Sequence, residues 1–171
     1  MIEFSPIWSI IVNAGTWLFV HIGISYGCAK LPIRFFMRNG SVYKERGWEQ
    51  SGRLYDKLRI KKWKDRLPEA GALFKGGKAK RSLGDMDRNL LLFLYETRRA
   101  EFAHLLCIPP SFLFFLWNPA FIGMMMVVYA LIANVPFIMV QRYNRIRLHR
   151  IIGDSATSSE KQVTPLIRVD E

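Results

Sequence analysis

The stretch Glu96-Thr97-Arg98-Arg99-Ala100-Glu101-Phe102-Ala103-His104 concentrates groups that can move protons. On a helix, residues three and four apart are neighbours, so Thr97, Glu101, His104 and Ile108 share one stripe. A carboxylate beside an imidazole orients the ring and favours its protonated form. That arrangement suits a general base for a hydroxyl group, a poor nucleophile until its proton is taken. The bland alternative pairs Glu101 with Arg98 and leaves His104 as an interfacial residue with a satisfied ring. A second polar stretch begins at Asn134-Val135-Pro136 and continues through Gln141-Arg142-Tyr143-Asn144-Arg145-Ile146-Arg147. Asn134 and Pro136 inside an apolar run demand internal partners. The arginines mark a membrane boundary, whereas Gln141, Tyr143 and Asn144 add donors suited to a polar ligand.

Other chemistries fit less well. A Glu-x-x-His occurs in di-iron bundles, but those need two such motifs and further Glu ligands. This chain has one motif and three histidines, His21, His104 and His149, so no metal is expected. Cys107 follows His104 by three residues, but a cysteine in an apolar helix is usually a packing residue with a raised thiol pKa. There is no G-x-S-x-G elbow. Gly76-Gly77-Lys78 lacks the spacing of a phosphate-binding loop. Cys28 and Cys107 on different spans do not imply a disulfide.

The elements that must position these groups follow from where charge is missing. Residues 4–29 and 102–141 contain no Asp, Glu, Lys or Arg, whereas residues 30–101 hold 19 of the 25 basic groups and 9 of the 14 acidic ones. Such segregation excludes an ordinary soluble domain. It also argues against a nucleic-acid partner, despite a net charge of +11. A helix needs about 20 apolar residues to cross a bilayer core. Spans are therefore expected at 7–29, 102–117 and 120–140, the last two joined by a turn at Asn118-Pro119 and the second kinked at Pro109-Pro110. His104 and Arg142 lie at unequal distances from that turn. Bringing the two polar stretches together requires the kink, a tilt or unwinding near Pro136.

Basic residues flank the inner ends of all three spans: Lys30, Arg34 and Arg38; Arg98 and Arg99; Arg142, Arg145, Arg147 and Arg150. By the preference of Lys and Arg for the cytoplasmic side, the N-terminus and hairpin tip are expected outside, with residues 30–101 and the C-terminus inside. The expected fold class is an all-α integral membrane protein: three transmembrane helices and a basic, amphipathic helical cytoplasmic segment. That segment, 46–67, carries Leu54, Tyr55, Leu58 and Trp63 among basic residues and reads as lying on anionic membrane lipid, or equally as packed on its own protein. Pro68 ends it. A glycine-rich basic loop follows, and Ser82 with Asp85 has capping-box spacing for a helix running into the second span. Residues 1–153 form one membrane-embedded domain, and 154–171 a polar flexible tail.

Thr97-Arg98-Arg99-Ala100-Glu101 with His104, and Ile132-Ala133-Asn134-Val135-Pro136 running into Val140-Gln141-Arg142-Tyr143-Asn144-Arg145 with Arg147-Leu148, resemble the glycosyl-4,4'-diaponeurosporenoate acyltransferases of carotenoid biosynthesis. Lys62-Trp63-Lys64 with Leu67 is also similar, and the resemblance spans roughly residues 15–150. It implies a bacterial, multi-pass cell-membrane enzyme that moves a fatty acyl group to a sugar hydroxyl of a glycosylated C30 carotenoid. Such an enzyme needs no cofactor beyond an acyl donor: acyl-CoA, acyl-carrier protein or phospholipid. Its partners are that donor, the lipidic acceptor and anionic membrane lipids.

On this reading His104 and Glu101 are the catalytic pair. Arg98, Asn134, Gln141, Arg142, Tyr143, Asn144, Arg145 and Trp63 bind substrate, and Arg142, Asn144 or Arg145 stabilise the oxyanion or hold a donor phosphate. The alternatives are acylation of another glycolipid or of a membrane-anchored amine, or a noncatalytic adaptor that binds anionic lipid or a partner protein.

Overall fold

The computed structural model describes residues 5–37, 40–64 and 83–163, and every regular element among them is helical. Helix α1 spans Pro6–Lys30, with proline in its first turn where a missing N–H costs no hydrogen bond. Its 25 residues cover about 37 Å, more than a hydrocarbon core of about 30 Å requires. Extended Leu31 and then Pro32 end it, and the short α2 (Ile33–Met37) buries Phe36 against Phe102.

Three segments are long and apolar enough to cross a membrane: Pro6–Lys30, Leu90–Leu116 and Ala120–Gly153. The second begins on α5 (Leu83–Leu106), which carries helix from the basic region straight into the span. Pro109 and Pro110 have no N–H to continue the ladder. The chain therefore tightens into a 3-10 helix over Pro109–Leu116, with the Ser111 N–H and hydroxyl both donating to the Ile108 carbonyl at 3.1 and 2.7 Å. The kink expected at this pair of prolines is thus a change of helix type. After the turn at Asn118-Pro119, α6 (Ala120–Val163) runs through Pro136 without unwinding. Helical backbone also continues over 154–163, where a flexible tail is expected from the sequence.

The three spans are tied in layers. Near the hairpin tip, Asn13 and Asn118 exchange amide hydrogen bonds of 3.1 and 2.9 Å, and the Trp117 indole donates to Asn13 at 2.8 Å. Next come Trp17, Phe114 and Ala130, buried together, with Met126 packed partly buried against them. Gly123 permits the close hairpin, because a Cβ there would sit 2.5 Å from the Phe115 ring. At the opposite end Arg99 donates to the Leu31 carbonyl at 3.3 Å. The start of α1 therefore shares an end with the hairpin tip, and the basic segments share the other.

The continuous amphipathic helix expected over 46–67 is not formed. A 3-10 stretch, Gly47–Gly52, is interrupted where Gln50, Ser51 and Gly52 take positive φ of 48°, 53° and 88°. Two short helices follow, α3 (Arg53–Lys57) and α4 (Ile60–Trp63), separated by left-handed Arg59. Left-handed residues reverse the chain and let both faces serve packing. Tyr55 and Ile60 are buried against Val140, Tyr143 and Ile146 of α6, with Trp63 and Met139 beside them. The segment is packed on its own protein, with Lys57, Lys61 and Lys62 left exposed. The remainder of the expected helix, the glycine-rich loop and Ser82 lie outside the described residues.

Candidate active site

α5 and α6 run antiparallel from the hairpin turn, so residues about equally far from it meet. His104 and Asn134 form such a pair: the His104 Nδ1 lies 3.0 Å from the Asn134 side-chain oxygen. The Asn134 amide nitrogen donates to the Ala130 carbonyl one turn earlier on α6, at 2.8 Å. That bond fixes which end of the amide faces the ring. An oxygen can only accept, so Nδ1 carries the hydrogen, and in the neutral ring Nε2 holds the free lone pair. The Phe137 ring stacks on the imidazole at 4.6 Å and 11°, setting its plane.

One turn deeper toward the basic end, Glu101 faces the same helix but does not serve His104. Its oxygens accept from Arg142 at 2.8 Å and from Arg145, and the carboxylate is almost fully buried. The Glu101–His104 pair expected from helical spacing is thereby corrected. Arginine forks 41 and 44 residues away compete for the carboxylate more strongly than a half-buried imidazole, and Asn134 takes over the orienting role.

Arg142 is saturated. Its Nε and Nη2 hold both oxygens of Glu49 at 2.8 Å, and Nη1 holds Glu101. The remaining N–H groups reach the carbonyls of Val42 and Lys44, each at 3.1 Å. All five donors are spent on the protein itself. Glu49, fully buried, also accepts from the Tyr55 hydroxyl and from the Arg46 backbone N–H at 2.6 Å. Burial alone raises a carboxyl pKa, but here the bonds from Arg142, Tyr55 and Arg46 outweigh it and bring Glu49 down to about 2. Burial and the adjoining Glu49 carboxylate push the Tyr55 phenol up. Glu49 carried no sequence signal, because a lone acid in a basic segment has no periodicity that points to a partner on α6.

The other expected site residues divide. Arg98 donates to the Phe36 carbonyl at 2.9 Å and, like Arg145, lies against the Tyr43 ring. Tyr143 and Trp63 belong to the apolar cluster under α3 and α4, with the Trp63 indole donating to the Leu58 carbonyl at 3.0 Å. They are packing residues on a different face from His104. Gln141 and Asn144 are half-buried. Cys28 and Cys107 are buried free thiols.

On α1, His21 stacks on Trp17 and meets the Tyr129 ring edge-on. His21, Trp17, Leu18, Met125, Met126 and Tyr129 line a largely apolar cavity of about 620 Å³.

A profile of the glycosyl-4,4'-diaponeurosporenoate acyltransferases matches residues 39–154. A protein of that name from Staphylococcus haemolyticus (strain JCSC1435) is 32% identical over 140 residues, covering 81% of this chain and 81% of the relative. Another, from Staphylococcus aureus (strain MRSA252), is 31% identical over 145 residues, covering 80% and 83%. The chain belongs to this acyltransferase family. The family match takes in Glu49, Glu101, His104, Asn134, Arg142 and Arg145, and begins after α1 with its His21. No solved structure matches the chain.

Proposed function

We propose that this protein transfers a fatty acyl group to a sugar hydroxyl of a glycosylated carotenoid, with His104 as general base. The observation that carries the reading is the Asn134 contact, which commits Nδ1 and leaves Nε2 to receive the hydroxyl proton. As Nε2 takes that proton, the acceptor oxygen attacks the acyl carbonyl. When the tetrahedral intermediate collapses, the same nitrogen returns the proton to the leaving group. General acid–base assistance of this kind contributes about 10²–10⁴-fold. A neutral amide is a suitable orienter at this depth, because it fixes the tautomer without placing a second charge inside the membrane.

The family name supplies the acceptor class, and the apolar cavity beside His21 offers room for a lipid tail. Arg142 acts as a structural tie between α6, α5 and the 40–49 segment. The lysines and arginines at the basic end face the cytoplasm on this reading, which puts the reaction near the inner leaflet.

The test uses purified protein in nanodiscs with glycosyl-4,4'-diaponeurosporenoate and a labelled acyl donor. Wild-type protein yields acylated acceptor, and the His104→Ala protein, still folded, does not. Absence of product from wild-type protein with every donor class would contradict the assignment.

A further inference from the structure

Arg145 differs from Arg142 in a way that only the structure reveals. Both are buried, but Arg142 spends five donors on the protein, whereas Arg145 bonds through Nη1 to Glu101. Among the described residues no other hydrogen bond reaches its guanidinium, which lies against the Tyr43 ring. Arg145 lines a cavity of about 250 Å³ at the basic end of the bundle, together with Tyr43, Lys44, Arg98 and His149. Glu45 also lines it, from an exposed position. The second carboxylate in the wall, Glu49, is already held by Arg142. A guanidinium with unspent donors lining a cavity beside Lys44 and Arg98 is the donor set that recognises a phosphate by paired hydrogen bonds.

Resting on the acyl-transfer reading above, we propose that this cavity binds the phosphate of the acyl donor, and that the donor is a glycerophospholipid. The spacing decides the class. Arg145 holds Glu101, and His104 is three residues further along α5, about 4.5 Å by helical rise. Arg98, on the cavity wall, is six residues from His104, about 9 Å. In a glycerophospholipid only a few bonds separate the phosphate from the acyl esters, which lie deeper in the bilayer than the headgroup. A phosphate held at Arg145 thus sets an ester at the level of His104. In a phosphopantetheine thioester a long arm separates the phosphate from the acyl carbon, and the same anchor would carry the thioester past His104. The step balances without a further reactant. The acceptor oxygen bonds to the acyl carbon, the ester bond to glycerol breaks, and the proton taken by His104 returns to the glycerol oxygen. The products are acylated acceptor and lysophospholipid.

Two measurements test this. In the first, His104→Ala protein is purified in neutral detergent with phosphatidylglycerol or with a phosphate-free glycosyldiacylglycerol, and native mass spectrometry counts retained lipid. This readout does not depend on turnover. Phosphatidylglycerol is expected to be retained, and the phosphate-free lipid not. Adding Arg145→Gln should cut retention roughly ten-fold or more, as loss of a charge-assisted contact predicts. Because Arg145→Gln also strips Glu101, a Lys44→Ala/His149→Ala protein, altered only at exposed cavity residues, is the second variant and should weaken retention in the same direction. Equal retention of both lipids, or retention indifferent to both variants, overturns the phosphate site.

In the second measurement, wild-type protein in nanodiscs receives acyl-labelled phosphatidylglycerol, acyl-CoA or acyl-carrier protein. Label reaching the acceptor with matching lysophosphatidylglycerol is the expected result. Transfer from a thioester alone overturns the donor assignment while leaving the acyltransferase reading intact.

Discussion

The His104 Nδ1 is held 3.0 Å from an Asn134 oxygen whose amide partner is tied to the Ala130 carbonyl at 2.8 Å, so α6 dictates the tautomer of a ring on α5. The relationship joins residues 30 apart in sequence across the hairpin. Replacing Asn134 by Ala frees the ring to take either tautomer. The expected outcome is a fall in kcat of about 10²-fold, within the usual range for a misdirected general base, with the fold retained. Substituting Asp in place of Asn should stabilise the protonated ring and move the alkaline-going limb of the pH–rate profile upward. A variant series with unchanged kcat and an unchanged profile would show that the contact is structural only.

The buried ion network predicts a stability effect separate from turnover. Glu49→Gln leaves Arg142 short of one carboxylate in a buried setting, and breaking such a pair costs about 3–5 kcal/mol. Thermal unfolding in detergent should register the loss. The sign of the pH dependence follows from the depressed carboxyl of Glu49. Its stabilisation is fully present above the ordinary value near 4.5 and drains away as pH falls toward about 2. A Glu49→Gln protein should have lost that acid-side slope.

Two arginines three residues apart should behave differently. Arg142→Lys removes two of five donors and the planar fork, leaving parts of Glu49, Val42 and Lys44 unpaired, so it should unfold at clearly lower temperature. Arg145→Lys keeps a charge for Glu101 and should unfold closer to wild type. Its main effect should be on transfer, as a raised KM for the donor. If the two substitutions lower Tm equally, the distinction between tie and binding group fails.

Much of the architecture was legible because it depends on local sequence. Charge-free runs of bilayer length are helices here, and Pro109-Pro110 breaks the α-ladder because two missing N–H groups leave no alternative. The site was legible in its parts but not in its pairing. Helical spacing does put Glu101 and His104 on one stripe, yet each has a stronger partner on α6, and no spacing rule reaches across 30 to 44 residues. The packing of the basic segment on its own protein was one of two readings its sequence left open, but its break into short helices was not legible, because left-handed Gln50 and Arg59 are not glycines. Its chain reversals bring Glu49 to Arg142 and Tyr55 to Tyr143.

The hairpin depends on a missing side chain at Gly123. Gly123→Ala would place a methyl group 2.5 Å from Phe115, a clash that must displace the ring or part α6 from the 3-10 segment. Overpacking of this kind costs about 1–3 kcal/mol. Unfolding at the wild-type temperature would show that the tip has slack the packing does not suggest.

Orientation can be read from exposed sites at opposite ends of the bundle. In a cysteine-free background, Ala120→Cys at the hairpin tip should react with a membrane-impermeant maleimide in intact cells. Lys57→Cys, exposed on the basic segment, should react only after permeabilisation. The reverse pattern would move the His104 layer and the phosphate cavity to the other leaflet.

The most direct test of the account is single-turnover acyl transfer by purified His104→Ala protein alongside wild type, in nanodiscs containing labelled phosphatidylglycerol and glycosyl-4,4'-diaponeurosporenoate. The account predicts that the variant stays folded, retains the phospholipid, and transfers acyl groups at least about 10²-fold more slowly than wild type. Transfer at the wild-type rate by His104→Ala would contradict it.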